Sequence, residues 1–223
     1  MQNEAMDAAI TLFGQSTLIG LSIAAPVGQI GVLAIQRTVD HGRAAGLATG
    51  LGAAFADAVY GAIGAFGITS LIAWLVELKA ALGLAGSAIL LAMAWRIVRA
   101  PATAARSVAG APGTLLRYVA GTFALTLSNP TTILSFMAVF GALAGRAPSA
   151  SPWAMVAGVL VGSALWWLIL STLVGHVRHA VDARWQRRIN MGSAALLAGF
   201  AAWQLVSLLV MLGVSSTART PAP

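Results

Sequence analysis

The chain contains no cysteine and little charge. Of its 223 residues, 13 are Lys or Arg and six are Asp or Glu, a charged fraction of 9%. An ordinary soluble domain is about one-quarter charged. The missing cysteine excludes a disulfide framework, a thiol nucleophile and a thiolate metal site. The missing charge excludes an ordinary soluble enzyme, because so few charges cannot coat a water-facing surface of this size. Disorder is excluded by the opposite property, a hydrophobic content of 59% and a mean hydropathy of +0.86. Histidine is also scarce. His41, His176 and His179 all fall at the edges of apolar runs, and no HExxH or GxSxG pattern occurs. An enzyme is therefore not expected, and no cofactor or metal is called for.

What the chain does have is apolar length. A membrane-crossing helix needs about 20 mostly apolar residues. Six runs qualify, at 10–35, 44–68, 82–98, 116–143, 153–175 and 190–212. They are continuous rather than alternating every second residue, which argues against a β-barrel. The expected fold is an all-α polytopic membrane protein, one transporter domain over residues 1–223. The N-terminal MQNEAMDAAI has no basic residue, so the first run is read as a retained helix rather than a signal peptide. The tail STARTPAP is polar and is expected to be disordered. Residues 175–188 place Val177, Val181 and Trp185 four apart among charges, the pattern of a short interfacial amphipathic helix.

The net charge of +7 would suggest nucleic acid in a soluble chain. Here the basic residues sort by side. Arg37, Arg43, Arg96, Arg99, Arg106, Arg117, Arg178, Arg184, Arg187 and Arg188 fall on one face of the six-span arrangement, and Lys79, Arg146 and Arg219 on the other. The richer face belongs in the cytoplasm. Both termini then lie outside, in a cell (inner) membrane, with membrane lipid rather than nucleic acid as the surrounding partner. Self-association into a homo-oligomer is left open.

Two prolines interrupt the spans. Pro26 stands in IAAPVGQIG and Pro130 in TLSNPTTIL. Proline lacks the N–H and crowds the carbonyl four residues back, so these would free the carbonyls of Ser22 and Thr126. Backbone freed in a membrane is tolerated only against protein or a water-lined cavity. Ser22, Gly28 and Gln29 lie beside the first break, and Thr126, Ser128, Asn129 and Thr131 beside the second. Asn129 suits the cap of a restarting half-helix. One proline alone reads more readily as an ordinary kink. Two, each in the first helix of a three-helix half, suggest a 3+3 inverted repeat with its binding site at the midplane.

Asp57 is the one carboxylate well inside a span. An Asp at the centre of a membrane helix costs about 2.5–3.5 kcal/mol, so it is expected to face protein. It lies on a stripe of small residues, Gly46, Gly50, Ala53, Ala54, Gly61 and Gly64, that marks a closely packed helix face. A hydrogen-bonding role toward freed backbone is the structural alternative. Gly158 and Gly162 read as packing. Trp166, Trp167 and Trp203 are too deep for an interfacial belt and read as packing or cavity lining.

These pieces, in this order and spacing, resemble the lysine-exporter family of amino-acid translocators (LysE/RhtB type). The resemblance rests on Ser22 to Gln29 around Pro26, on Thr38 to Gly46, on Ala85 to Trp95, on Leu127-Ser128-Asn129-Pro130 and on Arg188-Ile189-Asn190. It covers the chain from about Gly14 to Leu212. It implies a six-helix secondary transporter that exports amino acids or their derivatives by exchange for protons. Basic-amino-acid exporters of the family carry an acidic residue in the second helix, which Asp57 matches. They also carry an Asp five residues after the second proline, where this chain has Ser135, and that points away from lysine or arginine. The substrate and proton site is therefore expected to comprise Asp57, Ser22, Pro26, Gly28, Gln29, Thr126, Asn129 and Pro130. Half-helix N-termini would face the substrate carboxylate, the freed carbonyls its ammonium, and Asp57 a proton or the ammonium in alternation. The nearest rival is an exporter of a metal or other inorganic ion. One buried carboxylate and scattered Met would hold a dehydrated divalent cation poorly.

Overall fold

The computed structural model describes residues 2–26, 28–66, 77–99, 112–129, 132, 135–136, 152–178 and 182–217. Pro130, Thr131, Trp74, Arg106, Arg146, His179, Val181, residues 137–143 of the fourth expected span and the tail after 217 lie outside these. The described residues form seven helices. They are α1 (Gln2–Ala24), α2 (Gln29–His41), α3 (Arg43–Ala65), α4 (Lys79–Arg99), α5 (Pro112–Leu127), α6 (Pro152–Val177) and α7 (Ala183–Thr217). Five of them, α1, α3, α4, α6 and α7, contain stretches long and apolar enough to cross a membrane. The chain is thus an all-helical, multi-pass membrane protein, as expected for continuous apolar runs whose backbone groups must pair within each segment.

The first expected span is two helices. Pro26 cannot donate a backbone hydrogen bond, and the residue before a proline is pushed out of the helical region. Accordingly α1 ends at Ala24, the last helical bond running from the Ala25 N–H to the Leu21 carbonyl (2.9 Å). The Gly28 N–H turns back to the Pro26 carbonyl (2.8 Å), and α2 restarts at Gln29. Gly42 then reverses the chain into α3 in a single residue at φ 94°, a conformation that favours glycine. A side chain there would also strike the Arg178 guanidinium.

Three sequence expectations need correction. Helix α1 begins at Gln2 rather than near residue 10, because the polar start contains no breaker. Residues 175–188 are not a separate amphipathic helix. Helix α6 runs to Val177 and α7 starts at Ala183, so Trp185 belongs to the first turn of the last long helix, with nothing between it and Asn190 to break the helix. Trp203 neither packs in the core nor lines a cavity; it is 75% exposed on the outer face.

Helix α3 is the axis of the assembly, packing against α2, α5 and α6, while α1 packs on α6 and α4 on α7. The small-residue stripe explains the closeness. Side chains at Gly50 and Gly52 would strike the Trp167 ring and the Val119 carbonyl oxygen. The register fixes directions. Gly50, Asp57 and Gly61 face Trp167, Ser163 and Val159, so α3 and α6 are antiparallel. Gly52 faces Val119 and Phe123, and Tyr60 reaches Leu127, so α3 and α5 are parallel. Gly158 meets Phe13 and Thr17, and Gly162 meets Thr17 and Leu21, so α1 and α6 are parallel.

Candidate functional site

Asp57 sits in the middle of α3 and is 4% exposed. The Ser163 hydroxyl on α6 donates to its Oδ2 at 2.7 Å. No basic side chain pairs with it among the described residues. The carboxyl therefore faces protein, as its cost in a membrane requires. Along α3 it separates two apolar clusters. One includes Ala53, Ala54, Ile30, Leu125 and Trp167; the other includes Tyr60, Ile63, Leu12, Met155 and Val159. Asp57 and Ser163 form a polar layer between two apolar ones.

One turn further along α3, the Tyr60 hydroxyl donates to the Leu127 carbonyl at the end of α5 (2.7 Å). This ties the Asp57 layer to the second break. There the Thr126 carbonyl is not free. The Asn129 N–H donates to it (3.1 Å), and the Asn129 carbonyl in turn accepts from Thr132 (3.1 Å). The expected role of that carbonyl as an ammonium ligand is thus opposed by a local turn. The Thr126 hydroxyl, by contrast, is buried with no hydrogen-bond partner among the described residues. Gly86 of α4 packs against the Ser128 backbone.

The other expected site residues are divided. Gln29 is buried, Gly28 partly so, and Ser22 and Pro26 are exposed. The flanks of the first break, Ala24 and Ile30, belong to the same apolar cluster as Ala53 and Ala54. The first break thus approaches α3 through its apolar flanks. The Tyr60–Leu127 bond links the helix that carries Asp57 to the segment that carries Thr126 and Asn129, whereas Ser22 and Pro26 are exposed. Pro130 lies outside the described residues.

Two groups escaped the sequence reading. The first is Ser163. It is joined to Asp57 by a register that no local pattern reveals, but a signal existed. Gly52 meets the Val119 oxygen, the Thr122 Cβ and the Phe123 nitrogen; Gly158 meets the Phe13 oxygen, the Ser16 Cβ and the Thr17 nitrogen. Each residue in the first set differs from its counterpart by 106 positions, and so do Asp57 and Ser163. The same interval relates Gly86-Ser87-Ala88-Ile89-Leu90-Leu91-Ala92 to Gly192-Ser193-Ala194-Ala195-Leu196-Leu197-Ala198, six of seven identical.

The second is a polar cluster at the end of α2. Arg37, counted only as an orientation marker, is buried among Thr49, Thr122 and Tyr118. Asp40 is buried too, accepting from the Gln36 side chain and from Gln186 of α7 (2.9 Å). His41 beside them is half-buried; burial holds its pKa below the usual imidazole value, and nearby Asp40 partly opposes this.

The family model described as LysE type translocator matches residues 21–208. The chain is 34% identical over 140 residues to "Uncharacterized membrane protein YahN" of Escherichia coli (strain K12), covering 61% of this chain and 63% of that protein. The match thus spans less than two thirds of that relative's length. It is 25% identical over 200 residues to "Putative amino acid efflux protein YcgF" of Bacillus subtilis (strain 168), covering 86% of this chain and 94% of that one. No solved structure matches.

Proposed function

The chain belongs to the LysE type translocator family, and from that premise we propose that it exports amino acids or their derivatives from the cytoplasm in exchange for protons. The observation that carries the reading is the Asp57–Ser163 pair, a buried carboxyl in a thin polar layer between two apolar clusters. Such a group binds a proton or an ammonium, one displacing the other. The apolar clusters on its two sides serve as alternating seals. The B. subtilis relative, named for amino acid efflux, supports the substrate class.

The same reading includes a 3+3 inverted repeat in an inner membrane with both termini outside. It is supported by the recurrence of contacts at an interval of 106 and by the helix directions, since α1 and α5 run oppositely through α6 and α3. In this scheme α3 and α6 are counterparts, and Asp57–Ser163 joins a residue to its own counterpart on the pseudo-two-fold axis. Transport is rocking of one half against the other about that axis. The N-terminus of α2, which has no side-chain cap hydrogen bond, and the Asn129 turn flank the pathway. Energetically, one proton entering down ~100 mV supplies about 2.3 kcal/mol, enough for roughly a fiftyfold outward gradient of substrate.

The test is Asp57→Asn in proteoliposomes carrying a mixture of amino acids. The wild type should move substrate uphill when a pH gradient is imposed. The variant should lose uphill movement while retaining downhill exchange. Uphill transport unchanged in the variant would exclude Asp57 as the coupling group.

A further inference from the structure

The proton step leaves Arg37 unused. Arg37 lies on α2 near the basic face assigned to the cytoplasm, yet it is 9% exposed, whereas Arg43, Arg184, Arg187 and Arg188 are all exposed. Orientation by positive charge requires only solvated arginines, so orientation does not explain why this one is buried. Its Nη1 donates to the hydroxyls of Thr49 on α3 (3.0 Å) and Thr122 on α5 (3.3 Å), and the guanidinium lies 4.2 Å over the Tyr118 ring. All three neighbours are neutral. The chain has six acidic residues, Glu4, Asp7, Asp40, Asp57, Glu77 and Asp182, and all but Glu4 have described side chains. Among the described residues none of them pairs with Arg37. Asp40, one turn along α2, accepts instead from Gln36 and Gln186.

An arginine does not lose its proton in a protein, and a buried cation without an anion is strongly disfavoured. The planar fork has five N–H donors. The two hydroxyls take bonds from one of its nitrogens, so neither Nη2 nor Nε is engaged by them. The ligand that completes such a fork is a carboxylate, held by two parallel bonds. Every amino acid carries one. Thr49 stands eight residues before Asp57 on the same helix, about 12 Å at ~1.5 Å per residue. The position is therefore on the cytoplasmic side of the proton-binding layer, where an outgoing substrate arrives first.

We infer that the Arg37 guanidinium, framed by Thr49, Thr122 and Tyr118, is a cytoplasmic-side binding site for the α-carboxylate of the exported amino acid; this rests on the export reading above. The half-helix N-termini are then secondary to a full positive charge in holding that group. Substrates need a free carboxylate, and amides or decarboxylated amines are rejected at entry.

The experiment uses the full chain in two measurements. In proteoliposomes, counterflow driven by an equimolar mixture of the twenty amino acids is compared with that driven by their carboxamides. The wild type should prefer the acids by about tenfold or more, the worth of a charge-assisted bond. Arg37→Gln should bring that preference close to unity, and Arg37→Lys should keep part of it. Gln retains a donor for Thr49 while removing the buried charge, so the fold should persist; an unchanged gel-filtration profile checks this. In detergent, sodium acetate is compared with sodium chloride at equal ionic strength. Acetate should protect the wild type, and not Arg37→Gln, against thermal aggregation. A variant that discriminates acids from amides as the wild type does overturns the inference. If the wild type moves neither class, the export reading fails, and the acetate comparison alone decides Arg37: equal protection of both proteins overturns the site, and protection of the wild type only supports it.

Discussion

The contact between α3 and α5 and the contact between α6 and α1 are built alike and used differently. In each, a glycine lets a neighbouring helix backbone come close, Gly52 against Val119, Thr122 and Phe123, Gly158 against Phe13, Ser16 and Thr17. The polar residues on this shared frame diverge. Asp57 on α3 has Ser163 as its counterpart on α6. Thr49 and Thr122, which hold Arg37, have Met155 and Ser16 as theirs, and the Ser16 hydroxyl is buried with no partner among the described residues. Met155 belongs to an apolar cluster. The first contact carries a charge and hydrogen bonds between helices; among the described residues the second has no side-chain hydrogen bond from α1 to α6. The frame therefore belongs to both halves and the chemistry to one.

The sharpest way to break the comparison is to move the carboxylate across the axis. Asp57→Ser alone should collapse the pH-driven substrate gradient from about fiftyfold at ~100 mV to onefold. Adding Ser163→Asp restores the same two side chains in exchanged positions, still within reach of one another. Uphill transport should return to a large part of its wild-type extent, measured as the steady-state ratio of labelled amino acid across the vesicle. A double variant that folds and exchanges downhill but builds no gradient would show that the carboxyl must stand on α3, and the pseudo-axis would lose its functional meaning.

The sequence carried much of this frame and hid the rest for identifiable reasons. Continuous apolar runs located the long helices, because in a membrane hydropathy and helix formation follow from the same backbone requirement. Pro26 located the first break for the same reason. The burial of Asp57 was legible from its cost, and the close packing of Gly50 and Gly158 from their spacing. Ser163 was not legible, because pairing it with Asp57 needs the register of two helices far apart in the chain. The interval was obscured by the prolines themselves. Pro26 and Pro130 are 104 apart, whereas the contacts and the Gly-Ser-Ala segments repeat at 106. Aligning the halves on their prolines shifts each helix by two residues, enough to turn matching positions onto different faces. The burial of Arg37 was not legible, because a count of basic residues records the side of the membrane and not the depth of the side chain.

A smaller effect tests whether the two glycine contacts are equivalent in energy. At both positions a methyl group would meet backbone atoms, which cannot swing aside as a side chain can. Gly52→Ala and Gly158→Ala should each destabilise the protein by about 1–3 kcal/mol, the usual cost of overpacking, reduced by the better helix propensity of Ala. Gly199, with open space around it, is the control, and Gly199→Ala should be neutral or slightly stabilising. Thermal unfolding in one detergent ranks all three. A large loss at one contact and none at the other would confine the shared frame to geometry without energetic equivalence.

The smallest expected effect concerns the one bond that ties the Asp57 layer to the second break. Tyr60→Phe removes the hydroxyl that donates to the Leu127 carbonyl and keeps the ring beside Phe136, 5.7 Å between centroids. The net loss should be about 1 kcal/mol, and it should be local. Amide exchange should quicken over the last turn of α5, around Leu125 to Asn129, and remain unchanged at the end of α1, where position 166, the counterpart of 60, is a Trp and supplies no hydroxyl. Equal quickening at both ends would mean that the two breaks open together. The tyrosine would then be one fastening among several in a single cooperative unit, and the difference between the halves would lie in their polar residues alone and not in how firmly each break is held.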